Sequence, residues 1–448
     1  METPLTQPNK ARLKHMNSSW LFILLSVGTL PVMAQSPLTP EQAVEIVLKN
    51  NYNVSIARND AEVASLAATR GNAGMLPYIY LNGQGTVQST DINQRFSNGL
   101  AVKNNGVEAN NVNAQLGMSW TLFDGGRMFY TYDRLKQQQE GAHLSMRQQL
   151  ETSVEQALNT YYTIVRLKQE VQARQFGLEV SEEQLLFAKT RFDVGNGSRQ
   201  LVLQATVDRN TWKSQLLEQN MQLDNARLEL NRLLARDLSL VFDVVDSIPV
   251  QFQPSLEDLQ QKSGKNNASV LLSENNSKVA GSQVKELRSG YLPQLNLLAA
   301  YGLTRNSSEA GFALYNYSQG PNAGLQITWN LFNGSQLRSQ VRQFEVRQKT
   351  ADLFVSDARA TVSADVLIAY RTWKSASEIR ELEEQNFGAA KENVTLALER
   401  QRVGSADILI VKEAQRSYEE AITRVTAARF TAKQAELALM RLSGELVK

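Results

Sequence analysis

The chain has 448 residues with no cysteine, two histidines, and 47 basic against 45 acidic side chains. Lack of cysteine excludes a disulfide framework and a thiol nucleophile, and His15 and His143 alone cannot supply a zinc site or a His-based triad. Without residues 1–34 the count is 44 basic and 44 acidic, which argues against a nucleic-acid partner; no motif points to catalysis or to a cofactor.

The first 34 residues read as a signal peptide. Lys10, Arg12 and Lys14 precede the apolar run Trp20 to Leu25, and Val32-Met33-Ala34 supplies small residues for cleavage after Ala34. Met16 is an alternative start. The apolar core is too short for a stop-transfer helix.

A first structural repeat is expected over 35–245. Thr39-Pro40-Glu41 predicts a capped helix start, with Ala43, Val44, Ile46, Val47 and Leu48 as its apolar face. Asn50-Asn51 interrupts it, and a second helical pattern runs from about Val54 to Gly71. After Leu76-Pro77 the period becomes two, predicting a strand over 78–90. A polar loop from Asp91 to Asn111 leads to a strand over 112–123. There Val112, Ala114, Leu116, Met118, Trp120 and Leu122 alternate with Asn113, Gln115, Gly117, Ser119 and Thr121. Such alternation over ~10–12 residues, aromatic near one end, fits a tilted strand crossing a ~25 Å apolar band. A hairpin in a soluble sandwich alternates in the same way.

The turn Trp120-Thr121-Leu122-Phe123-Asp124-Gly125 recurs as Trp329-Asn330-Leu331-Phe332-Asn333-Gly334, 209 residues on, so the chain is a tandem repeat. Each turn opens a proline-free helical stretch. Long helices are expected over 128–190 and 200–236, broken at Val194-Gly195. A linker, 246–254, precedes the second repeat, 255–448. That repeat should hold strands over 294–305 and 322–332, and helices over 336–400 and 406–443 broken at Val403-Gly404. In the last helix Ala414, Tyr418, Ala421, Val425, Ala428, Ala432, Ala435 and Leu439 alternate at spacings of four and three, a coiled-coil seam of mostly small residues.

The expected fold is an α+β membrane protein made of a duplicated strand-strand-helix-helix unit. Four strands cannot close a barrel in lipid, where every edge amide needs a partner, so several chains must share one: two would give eight strands and three twelve. A soluble coiled-coil scaffold is the competing reading, and a secreted hydrolase is disfavoured by the single histidine outside the leader.

Both Trp-x-Leu-Phe-[Asp/Asn]-Gly turns, both Leu-Pro strand entries (Leu76-Pro77, Leu292-Pro293) and both Val-Gly…Ala breaks (Val194-Gly195…Ala205, Val403-Gly404…Ala414) resemble the TolC-type outer-membrane efflux protein family. The resemblance covers about 38–443. It implies a homotrimeric 12-stranded outer-membrane β-barrel continued by a long periplasmic α-helical coiled-coil barrel. The implied function is the exit duct of a tripartite efflux pump, working with a periplasmic adaptor (membrane fusion) protein and an inner-membrane transporter. A type I protein secretion duct is the alternative. The helix tips Val194, Gly195, Val403 and Gly404 would face the adaptor, with Asn196 and Ser405 standing where the family often has Leu. Ile410, Glu413 and, in the first repeat, Leu201 would narrow the pore; well-known members carry Asp at the first two positions. Trp120 and Trp329 would anchor the membrane interface, and Gly125 and Gly334 would allow the strand-to-helix turns.

Overall fold

A computed structural model describes residues 37–250, 252–310, 313–403, 405 and 408–447. The expected signal peptide and Gly404 lie outside the described residues. The chain begins with α1 (Pro40–Asn50), whose Thr39 forms a reciprocal capping box with Gln42. Asn51 then caps α2 (Tyr52–Ala67) by accepting from the backbone N–H groups of Asn53 and Val54. Strands β1 (Tyr78–Arg95) and β2 (Ala101–Phe123) follow, then α3 (Arg127–Asp193) and α4 (Arg199–Leu233). The second repeat runs α5 (Leu256–Asn266), α6 (Ala268–Arg288), a short 3-10 turn, β3 (Gln294–Ser308), β4 (Tyr315–Thr328), α7 (Gln336–Arg402) and α8 (Ile408–Leu442).

The duplication extends beyond the repeated turns. Helices α3 and α7 have 67 residues each, about 100 Å at 1.5 Å rise, and α4 and α8 have 35 each. The repeat also includes α5 and α6, which the sequence reading passed over. Asn267 caps α6 and donates its side-chain N–H to the carbonyl of Leu442 at 3.1 Å, as Asn51 does to Leu233 at 2.7 Å. The signal was there: Asn267-Ala268-Ser269-Val270 repeats the Asn51-Tyr52-Asn53-Val54 pattern.

Three strands differ in extent from the hydropathy reading, and one is shifted. β1 runs to Arg95, β2 starts at Ala101 and β3 runs to Ser308, because polar Asn, Gln and Ser residues pair their backbones as well as apolar ones do. β4 spans Tyr315–Thr328 in place of the expected 322–332. It ends at Thr328 because its partner Gln294 is the first residue of β3, and Pro293 before it has no N–H to give. It extends back through Pro321, which an edge strand tolerates.

Two apolar cores hold the helices. In one, Val154, Tyr161 and Val165 of α3 meet Val47, Leu230 and Leu437. In the other, Val366 of α7 meets Leu259, Val270 and Leu439. Tyr161 ties the N-terminal segment to the chain just before the linker: its hydroxyl donates to Leu38 O at 2.7 Å and accepts from Val245 N at 3.2 Å. Burial pushes this phenol above its ordinary range, so it remains a donor. Lys168 pairs with Asp243 and Asp246, both at 2.7 Å, and holds the linker on α3.

Candidate functional site

The sheet is antiparallel in the order β1-β2-β3-β4, and its register merges four alternating faces into one. Directly opposed residues share a face. Leu81 lies opposite Leu116, Leu116 opposite Tyr301, Trp120 opposite Leu297, and Leu297 opposite Leu325. Ile79, Met118, Ala299 and Ala323 continue the same apolar side. The other side carries Asn82, Gln115, Gly302 and Gly320, and Asn113 with Thr304. Leu81, Leu325 and Ile327 are largely exposed in the single chain. β1 and β4 are left as open edges. No helix among the described residues is long and apolar enough to cross a membrane.

At the sheet's helical end, Trp120 and Trp329 donate their indole N–H groups to Met75 O and Tyr291 O, each at 3.0 Å. Gly125 and Gly334 both sit in the left-handed region, with φ of 72° and 66°. A side chain at Gly125 would strike the carbonyl of Ser289 and Leu292, whereas Gly334 has open space around it.

The far end of the helices carries the tips. Val194 and Val403 are exposed, and Gly195 has φ of 80°. Asn196 donates its backbone N–H to Arg191 O at 2.8 Å, and Ser405 to Arg400 O at 2.8 Å, the bond that closes a Schellman-type helix end. Asn196 terminates its helix through the backbone, and Ser405 adds its hydroxyl, which donates to the same Arg400 O at 3.1 Å.

Leu201 and Ile410 occupy equivalent positions in the first turns of α4 and α8, and both are about half exposed. The structure does not bring them together. Leu201 lines a groove between α4 and α8, about 310 Å³, with Ser181 and Gln184 of α3 among its lining. Ile410 and Glu413 lie outside this lining, three residues apart on one exposed helix face, while Val411 and Ala414 bury the opposite one. The side chain of Glu413 makes no hydrogen bond or ion pair with any described residue.

The groove holds residues that sequence reading missed. Asp208 pairs with Lys412 across it, and Arg174 pairs with Glu419. Gln415 donates to Gly177 O at 2.9 Å. The pairs join α4 or α3 to α8 across some 200 residues of chain, so no local spacing announces them. Seam residues Ala421, Val425, Ala432 and Leu439 are buried along α8.

A long helical body, tipped by Schellman ends and carrying a sheet that is apolar on one face and polar on the other, defines a channel-forming protein with a helical extension. The family model for outer membrane efflux proteins matches residues 43–236 and 259–445, and the chain belongs to that family. It is an outer-membrane efflux channel with a periplasmic helical extension. The outer membrane efflux protein BepC of Brucella suis biovar 1 (strain 1330) is 28% identical over 185 residues, 41% of this chain and 39% of the relative. The outer membrane protein TolC of Salmonella enteritidis is 23% identical over 345 residues, 75% of this chain and 69% of the relative. The crystal structure of the outer membrane protein VceC of Vibrio cholerae superposes with a TM-score of 0.73 at 17% identity, covering 90% of this chain and 96% of that one.

Proposed function

We propose that three copies of this chain close a twelve-stranded barrel, and that the assembly is the passive exit duct of a tripartite efflux pump. The observation that carries this reading is the sheet itself. Its register gives a continuous apolar face, and its two edge strands carry backbone groups that lipid cannot satisfy. Pairing β4 of one copy with β1 of the next removes every edge, and three copies make twelve strands from four. The polar face then lines an aqueous lumen.

The periplasmic ends carry the protein contacts in this reading. Val194 and Gly195, with Val403 and Gly404, meet a periplasmic adaptor, which links the duct to an inner-membrane transporter. Exposed valines beside a glycine turn support this. Leu201, Ile410 and Glu413 narrow the mouth, and Trp120 and Trp329 mark the membrane interface.

The test is reconstitution. The purified protein should run as a trimer in detergent and conduct ions in planar bilayers, and cells lacking it should lose export of small-molecule toxicants. A monomer without conductance would overturn the duct. Export of a polypeptide in place of toxicants would shift the cargo and keep the channel. Gly195→Trp should leave the trimer intact and reduce efflux; undiminished efflux would remove the tip from the adaptor contact.

A further inference from the structure

The two repeats part company at one place on the polar face of the sheet. Positions before the hairpin turn recur 216 residues on, and positions after it 209 residues on. Tyr78 and Tyr80 of β1 thus correspond to Gln294 and Asn296 of β3, and Gly117 of β2 corresponds to Gln326 of β4. All lie on the polar side, with Tyr80 opposite Gly117, Tyr78 opposite Ser119, and Asn296 opposite Gln326. One repeat carries phenol rings where the other carries amides.

The two versions are built differently. Gln294 donates to Asn296 at 3.1 Å, and Thr121 donates to the same Asn296 oxygen at 3.1 Å, so these groups satisfy one another. The rings of Tyr78 and Tyr80 stack with centroids 5.7 Å apart and planes 24° from parallel. Neither hydroxyl makes a hydrogen bond with a described residue. Tyr80 reaches over β2 because Gly117 has no side chain; a Cβ there would strike the ring. Covering a bare glycine accounts for Tyr80. It does not account for Tyr78, which is 69% exposed. The second repeat pairs the equivalent strands with amides in these places, so the sheet itself requires neither ring.

The surroundings define what the rings can hold. On the polar face, no position from Tyr78 to Thr90, Val107 to Thr121, Gln294 to Ser308 or Asn316 to Thr328 is Asp, Glu, Lys or Arg. Tyr78 and Tyr80 are the aromatic residues of that stretch. Across Gly117 and Ser119 stand Ala300 and Leu298, the latter 38% exposed. The tyrosines therefore edge a shallow apolar strip in a lining of amides and hydroxyls. A phenol ring presents a negative face that attracts a cation within about 6 Å of its centre, and a flat ring stacks on it. No fixed charge on this face competes with that attraction or opposes it.

We propose that Tyr78 and Tyr80 form a binding site for planar aromatic cations passing through the barrel. The site lies beside Trp120, at the helical end of the sheet, on the opposite face from the indole. It rests on the three-copy duct, in which three such tyrosine pairs ring the lumen and three amide sectors separate them. Ring faces without a carboxylate hold a cation weakly, which suits a conduit: cargo must leave as readily as it enters.

Block of ion current tests the site. The purified oligomer in planar bilayers, carrying potassium chloride, receives ethidium, a planar aromatic cation, or magnesium, a cation without a ring that keeps its water. Block in each variant is read against its own open current. Tyr78→Leu with Tyr80→Leu should raise the half-blocking ethidium concentration about tenfold, and Tyr78→Leu alone about threefold. Tyr78→Phe with Tyr80→Phe should change it less than about twofold, because the ring faces remain. Magnesium should affect every variant alike. Tyr78 is exposed and makes no hydrogen bond, so its single variant keeps the test if the double one fails to assemble. Equal ethidium block in the parent and the Leu variants, or a Phe variant that loses as much as the Leu one, would overturn the site and leave the channel standing. So would block that disappears in Glu413→Ala and persists in the Leu variants, since binding would then lie at the mouth. A protein that carries no current would overturn the channel reading, and the site with it.

Discussion

Trp120 donates its indole N–H to the carbonyl of Met75 at 3.0 Å, and Trp329 repeats the bond to Tyr291 at 3.0 Å. Each carbonyl lies just before a Leu-Pro entry to a strand, so each indole ties the end of one strand to the start of another. A belt residue needs only an amphipathic ring, and Tyr serves as well as Trp at a membrane interface. A tie needs the indole N–H in place. Trp120→Tyr and Trp329→Tyr are therefore each expected to cost about 1 kcal/mol, the net worth of a hydrogen bond. Thermal unfolding in detergent would measure it, and unchanged midpoints in both variants would reduce the tryptophans to belt residues.

Only two non-glycine residues among those described have positive φ, Ala235 at 48° and Ser335 at 64°. Their equivalents in the other repeat are glycines, Gly444 at 71° and Gly126 at 86°. The backbone shape is kept at both places, and one repeat carries the strained residue. Ala235→Gly and Ser335→Gly should each stabilise the chain by about 1 kcal/mol through relief of the left-handed conformation. Gly444→Ala should be costly, since a Cβ there meets Arg147 and the backbone of Asn266 at 2.8 Å. Chemical denaturation of the three variants would rank them.

Gly177 is the point where α4 and α8 both close on α3. A Cβ there would run into the ring of Trp212, and its carbonyl accepts from Gln415 at 2.9 Å. Gly177→Ala gains helix propensity yet forces Trp212 to move, and overpacking of this kind costs about 1–3 kcal/mol. Trp212→Leu in the same chain should restore much of the loss. A Gly177→Ala variant as stable as the parent would show that the indole shifts freely.

Glu384 and Arg429 join α7 to α8 by a forked pair, with Nε to Oε1 at 2.6 Å. The Arg429 hydrogen bonds hold the Glu384 carboxyl below its ordinary value of 4.5. A depressed acid contributes stability above its unfolded value and loses it as pH falls through the folded one. Acid destabilisation should therefore be shallower in Arg429→Gln at pH below about 4.5, by less than ~1 kcal/mol because Glu384 is partly exposed. Melting curves on both proteins across that range would check the slope.

The architecture was legible because it is periodic. Alternation in Val112 to Leu122 and the heptad-spaced seam of α8 each report a face, and register then aligned the strand faces as their parity required. Polar stretches carried less signal. Ile92 to Arg95 pairs with β2 beyond a bulge at Asp91, although nothing in its composition distinguishes a ladder from a loop. The groove was illegible for another reason. Asp208 and Lys412 face each other only because two equivalent helices flank α3, and no window of sequence contains both. Ile410 follows from the family resemblance and Leu201 is its counterpart in the first repeat; the helices place them alike without bringing them into contact.

Glu413 is the residue on which the proposed constriction can be decided. It is exposed and unpaired among the described residues, unlike Glu420 seven residues on, which Arg416 approaches at 3.3 Å and Arg424 at 3.7 Å. Three unpaired carboxylates around one axis make a cation-favouring ring, and Ile410 one turn earlier supplies an apolar one. Charge acts over about 8–10 Å at ordinary ionic strength, so selectivity should sharpen as salt is lowered. Glu413→Ala should reduce cation preference in bilayer reversal-potential measurements, most at low salt, and Glu420→Ala should not. Ile410→Ser should raise conductance with little change in selectivity, because it wets the constriction without altering its charge. If Glu413→Ala and Glu420→Ala shift the reversal potential equally, the field is that of the whole mouth, and Glu413 is not its narrow point.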